Sequence, residues 1–99
     1  MDNGTKIPKE GTQARKLLDV LLGAKGGEND GWINGQYFCR TFWLTQFHAV
    51  IFRLENEYGW AYDQTRPEKE WIEHSEFTDE FGFRSYRIHE GAPVAAALV

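Results

Sequence analysis

With a single cysteine, Cys39, this 99-residue chain cannot close an internal disulfide. No Cys/His spacing of a zinc site accompanies it, and His48, His74 and His89 are too widely spread to suggest a metal constellation. Long apolar runs are missing as well. None approaches the roughly 20 residues that span a bilayer, so no membrane partner is expected. The N-terminal MDNGTKIPKEG lacks the apolar stretch of a signal peptide. A reducing cytoplasm is the expected setting. No ordered Ser/His/Asp set or paired-carboxylate site stands out, and Gly26-Gly27-Glu28 has no Lys-Ser/Thr after it to make a phosphate loop. The chain therefore reads as a non-enzyme with no cofactor and no metal. Cys39, beside Phe38, reads as a small buried hydrophobe.

Positive charge is scarce in one region. Fifteen acidic residues against eleven basic ones give a net charge of −4. Residues 1–30 are balanced. Residues 64–80 are not: Arg66 and Lys69 face Glu68, Glu70, Glu73, Glu76, Asp79 and Glu80. Phosphate contacts supply much of nucleic-acid affinity, so an acidic chain is an unusual nucleic-acid binder. Aromatics, by contrast, are plentiful: four Trp, four Tyr and seven Phe. They can build the dense core that a single small domain needs, since such a chain buries only about two-thirds of its unfolded surface.

Hydrophobic spacing and capping residues then give an order of elements. Residues 1–11 are polar and read as a flexible arm, 12–90 as the domain and 91–99 as a flexible tail. Thr12 caps a helix predicted over 12–25, with Ala14, Leu17, Leu18, Leu21 and Leu22 on one face. Gly26-Gly27 stops it. Trp32-Ile33 reads as a short strand. Asn34 caps a second helix over 35–41, with Tyr37 and Phe38 inward. Thr45 caps a third helix over 45–58, and Gly59 is its left-handed stop. Phe47, Ile51, Leu54 and Tyr58 form its buried stripe. Trp60 and Tyr62 alternate with Ala61 as a strand. Its expected partner is the alternating segment 83–88, with Tyr86 and Ile88 toward the core. The nineteen residues between Asp63 and Phe83 are long for a hairpin loop.

The segment LTQFHAVIFRLENEYGW, followed at a distance by FRSYRI, resembles the small winged helix-turn-helix proteins of phages and prophages. In that pattern a Thr/Ser-capped helix carries the rhythm R-I-x-E-L-x-x-x-G-W/Y-x-I, and a hairpin closes on a Tyr-Arg-Leu-like strand. The resemblance covers residues 12–89. It implies an α+β fold of three helices with a two- or three-stranded antiparallel wing sheet. It also implies a DNA-binding regulator or accessory protein of a phage or mobile element, at work in the cytoplasm of a bacterial host cell. Two features depart from the pattern. Val50 stands where the family often has Arg, and the expected wing is long and acidic rather than short and basic.

A third helix in a major groove would read DNA with the face opposite its buried stripe: Gln46, Ala49, Arg53 and Asn56. Gln and Asn pair bidentately with adenine and Arg with guanine, and a small Ala lets the helix approach the bases. Phe52 lies beside this face. Lys16, Arg40, Arg84 and Arg87 are the candidate phosphate contacts, though Arg84 and Arg87 have opposite parity on a strand. One module this small covers little DNA, so double-stranded DNA would be bound by a homodimer. The other reading is an acidic, protein-binding winged helix, such as a phage-encoded inhibitor or nucleic-acid mimic. Glu68, Glu70, Glu73, Glu76, Asp79 and Glu80, with Phe52, would then meet a basic partner in a nucleic-acid-processing or nuclease complex.

Overall fold

The computed structural model describes residues 5–42 and 46–91. Among them lie α1 (Gln13–Ala24), a 3-10 turn (Glu28–Gly31), β1 (Ile33–Asn34), α2 (Gly35–Phe42), α3 (Phe47–Asn56), β2 (Trp71–Thr78) and β3 (Arg84–His89). The three strands form one antiparallel sheet in the order β1-β3-β2. The class is α+β, with three helices and a three-stranded antiparallel sheet.

The start of α1 follows from Thr12, whose hydroxyl oxygen accepts the Arg15 N–H at 3.2 Å. Ala14, Leu17, Leu18 and Leu21 are buried from one side of this helix. The chain then reverses through Asn29 and Asp30, both left-handed at φ 58° and 56°. Asn and Asp tolerate that region better than other side chains do. Gly31 follows at φ +84°, and a Cβ there would meet the Ala24 carbonyl at 3.1 Å. This tight reversal delivers β1 to the sheet, where Ile33 lies opposite Tyr86.

Asn34 opens α2, its side-chain oxygen accepting the Gln36 N–H at 2.7 Å. Phe38 is fully buried, but Tyr37, expected inward, is 46% exposed. The buried side of α2 centres on Gly35 and Phe38, which turns Tyr37 well away from the core. Tyr37 instead meets Phe38 and Phe42 edge-on.

The expected cap Thr45 lies outside the described residues. Phe47, Ile51 and Leu54 of α3 are buried as expected, and Val50 joins them. The helix ends at Asn56, two residues before Tyr58, which is only partly buried. Gly59, at φ 77°, turns the chain so that Trp60 N–H reaches the Leu54 carbonyl at 3.0 Å. Behind it the buried Lys69 ammonium donates to the Gly59 carbonyl at 2.7 Å, a cation placed beyond the C-terminal end of α3.

The hairpin differs from the one expected. The partner of β3 is β2, drawn from the segment that read as an acidic loop, and residues 60–62 form no strand. Ile72 faces Ile88 and His74 faces Tyr86 across the pair. Ile72, Tyr86 and Ile88 are all buried, so one face of the hairpin closes the core. Two facts favour this pairing. Only five residues, 79–83, then separate the strands, which is hairpin length. And Trp60 is needed in the core, where its indole N–H donates to the Lys6 carbonyl at 2.8 Å. Its own carbonyl accepts the Ile72 N–H at 2.7 Å, so the chain at Trp60 runs beside β2 without joining the ladder.

Residues 5–11 belonged to the expected flexible arm, yet they are held to the body. Lys6 N–H donates to the Tyr58 carbonyl at 2.8 Å, and Pro8 is fully buried. The rest of that arm and residues 92–99 of the tail lie outside the described residues.

Candidate functional site

α3 is buried along one side only. With Phe47, Val50, Ile51 and Leu54 turned inward, Gln46, Ala49, Phe52, Arg53 and Asn56 are all exposed. Val50 widens the buried arc, and at about 3.6 residues per turn this rotates the centre of the outer face toward Phe52, Asn56 and Ala49. Gln46 and Arg53 become one flank, His48 and Glu55 the other. Phe52 is 65% exposed. Asn56 donates through Nδ2 to the Phe52 carbonyl at 2.9 Å, which ties its carboxamide to the preceding turn of the helix. Arg53 donates through Nε to Glu57 at 2.7 Å, and this hydrogen bond raises the guanidinium pKa further. Gln46 precedes the helix, and its carbonyl accepts from Ala49 and Val50.

The candidate phosphate contacts divide into committed and uncommitted cations. Arg84 reaches back across the hairpin, donating from Nη1 to the Ser75 carbonyl at 2.5 Å and the Glu76 carbonyl at 3.2 Å. Arg87 pairs with Glu73 at 2.7 Å and lies over the Trp32 ring, 4.4 Å from its centroid. Strand parity sets them on opposite sides of the sheet, as expected. Lys16 on α1 and Arg40 on α2 are exposed, and no ion pair engages either among the described residues. Arg40 also borders a shallow recess of about 270 Å³ with Gln36, Cys39, Phe81 and Phe83. Burial pushes the Cys39 thiol pKa up, away from reactivity.

The carboxylates divide in the same way. Glu70 pairs with Lys25, and Glu73 with Arg87. Asp79 is a structural turn residue. Its Oδ1 accepts from the backbone N–H of Phe81 at 2.8 Å and of Phe83 at 2.9 Å. Its Oδ2 accepts from Asn34 at 3.0 Å and Gln36 at 2.6 Å. These donors, Phe83 N–H first, hold its pKa at about 2. The hairpin turn is thereby tied to the start of α2. Glu68, Glu76 and Glu80 remain exposed, and among the described residues none of them forms an ion pair.

One feature of the hairpin had no clear mark in the sequence. The β2–β3 register shifts between His74 and Thr78. There the Ser75 hydroxyl accepts the Ser85 N–H at 2.8 Å and donates to the Phe77 carbonyl at 2.7 Å. The bulge leaves Phe77 81% exposed. Phe81, at 68%, is displayed in the turn. The available signal for the turn was Asp79 followed by Gly82, a common turn pairing.

Among the described residues no three His, Cys, Asp or Glu side chains gather as metal ligands would, and no helix is long and apolar enough to cross a membrane. No family model, curated protein or solved structure matches this chain.

Proposed function

We propose that this chain is a winged helix that binds duplex DNA, with α2 and α3 as the helix-turn-helix and α3 lying in the major groove. The observation that carries the reading is the outer row of α3. Gln46, Ala49, Phe52, Arg53 and Asn56 are exposed together while the opposite row is in the core. Such a helix face, rich in Gln, Asn and Arg, has the groups that read base edges. The element order α1-β1-α2-α3-β2-β3 and the sheet order β1-β3-β2 suit a winged helix, with residues 79–83 as the wing. This wing is short, and Asp79 clamps it. The resemblance to phage and prophage proteins extends the proposal to a regulator or accessory protein of a mobile element in a bacterial host.

Acidity bears less heavily on this reading than composition suggests. Three of the six carboxylates in residues 68–80 are engaged within the fold. Of the candidate contacts on the helices, Lys16 and Arg40 form no ion pair among the described residues, and Arg53 on the flank is bonded to Glu57. Two copies of the chain would supply twice as many, and a single module of this kind covers only roughly 600–1,000 Å². The test is an anisotropy titration with mixed-sequence duplex at low and physiological salt. Binding at low salt is expected, with a slope of log K on log salt of about −2 to −3 for each bound module. No binding at low salt would overturn the proposal.

A second reading has one observation in its favour. Phe77 and Phe81 are displayed on the hairpin together with Glu76 and Glu80. An apolar surface with an acidic border suits a basic protein partner, with the hairpin rather than α3 as the contact.

A further inference from the structure

We infer that α3 reads A·T base pairs, with Phe52 packed on a thymine methyl group and Asn56 paired with adenine. The inference rests on the DNA-binding reading above and names the ligand class of that surface.

The centre of the exposed face carries the case. Opposite the buried Phe47, Val50, Ile51 and Leu54, helical geometry places Phe52, Asn56 and Ala49 outermost. These residues therefore reach deepest into a groove that admits the helix. Phe52 is 65% exposed, and among the described residues no aromatic ring packs against it. The apolar feature of the major groove is the thymine methyl group, and cytosine offers none in its place. Ala49, one turn before Phe52, is small and apolar, so it lets the ring come close.

Asn56 supplies the other half of the pair. One hydrogen of its Nδ2 is spent on the Phe52 carbonyl. The second hydrogen and Oδ1 remain, and these are the donor and acceptor that match N7 and N6 of adenine. Asn56 stands one turn after Phe52 on the same face of α3, and the bond pins its carboxamide to the helix backbone, so the two side chains address the same or adjoining base pairs. Guanine has no comparable reader at the centre. Arg53, the residue suited to it, lies on the flank and is bonded to Glu57.

The test is selection of sites from a random duplex pool, followed by titration of the selected duplex. A second duplex carries deoxyuridine in place of each thymine and so loses only the methyl groups. The parent protein should select A·T-rich sites and bind the deoxyuridine duplex about fourfold more weakly for each methyl group that Phe52 covers. Phe52→Ala should bind the thymine duplex more weakly and no longer distinguish the two. Because Phe52 is exposed, this variant should keep the circular dichroism and melting of the parent. Equal binding of both duplexes by the parent would overturn the inference and leave DNA binding intact. Persistent discrimination by Phe52→Ala would place methyl recognition elsewhere and overturn it too. Failure to bind any duplex would remove the DNA reading and this inference together.

Discussion

Asp79 shows how one side chain can look like surface charge and act as a fastener. Its carboxylate accepts from Phe81 and Phe83 in its own turn and from Asn34 and Gln36 beside it. Donors on every side favour the ionised form, which sets its pKa at about 2 against an ordinary 3.8. A depressed carboxylate pKa stabilises the fold above the ordinary value, and that contribution is lost as pH falls through the folded one. Melting temperature measured between about pH 4 and pH 2 should therefore drop more steeply for the parent than for Asp79→Asn. Parallel profiles would show that the clamp contributes nothing. Arg53 invites a different test, because its flank position and its bond to Glu57 suit a phosphate better than a base. Arg53→Ala should weaken binding to all duplexes alike and reduce the salt slope by about one. A loss confined to guanine-containing sites would make it a base reader after all.

At the scale of elements, the helices were legible because their signals are local. Thr12 and Asn34 cap where expected, Gly59 makes a left-handed turn beyond α3, which ends earlier than expected at Asn56, and Phe47, Ile51 and Leu54 form the buried stripe. Leu54 is fully buried in the core, on the helix that packs against α1. Leu54→Ala should cost about 2–5 kcal/mol in chemical denaturation as a cavity-forming change; a parent-like midpoint would mean that the stripe does not anchor the core. The partner of β3 was not legible, because pairing is a long-range choice. The alternation in WAY and in WIEHSEFT is equally acceptable locally. Only the short Asp79–Gly82 turn and the demand for Trp60 inside the core decide between them. The Ser75 bulge escaped for a related reason. A serine hydroxyl that replaces a ladder bond leaves no pattern in the sequence. Tyr37 was a simpler miss, since the buried side of α2 centres on Gly35 and Phe38 and turns residue 37 away from it. The polar face of α3 was foreseen, but its centre was not. That depended on Val50 being buried, which the choice of stripe residues had left out.

Charge belongs to the whole molecule, and composition counts it without revealing which groups are paired. The acidic stretch 68–80 proves to be part strand, part turn and part connection, with Glu70, Glu73 and Asp79 satisfied inside the fold. Arg84 and Arg87 are used in the same internal way. Two of the described surfaces are left open to a partner by these pairings: the α3 face with Lys16 and Arg40, and a hairpin bearing Phe77, Phe81, Glu76 and Glu80. The two readings assign the contact to different ones of these surfaces, so one variant separates them. Changing Glu68, Glu76 and Glu80 together to Gln leaves every ion pair described above in place. If α3 on DNA is the function, duplex affinity should stay constant or rise, because less negative charge lies near the phosphates. If the hairpin docks on a basic protein, the triple variant should associate with it more slowly, most visibly at low salt, while dissociation changes little. The measurement is a pair of association experiments on parent and variant, one with duplex DNA and one with basic proteins retained on the parent from host lysate. A slower on-rate for a retained protein, with no duplex binding by either form, would move the function from α3 to the hairpin. Duplex binding by both forms, with no protein retained by the parent, would leave the hairpin carboxylates as solvated surface.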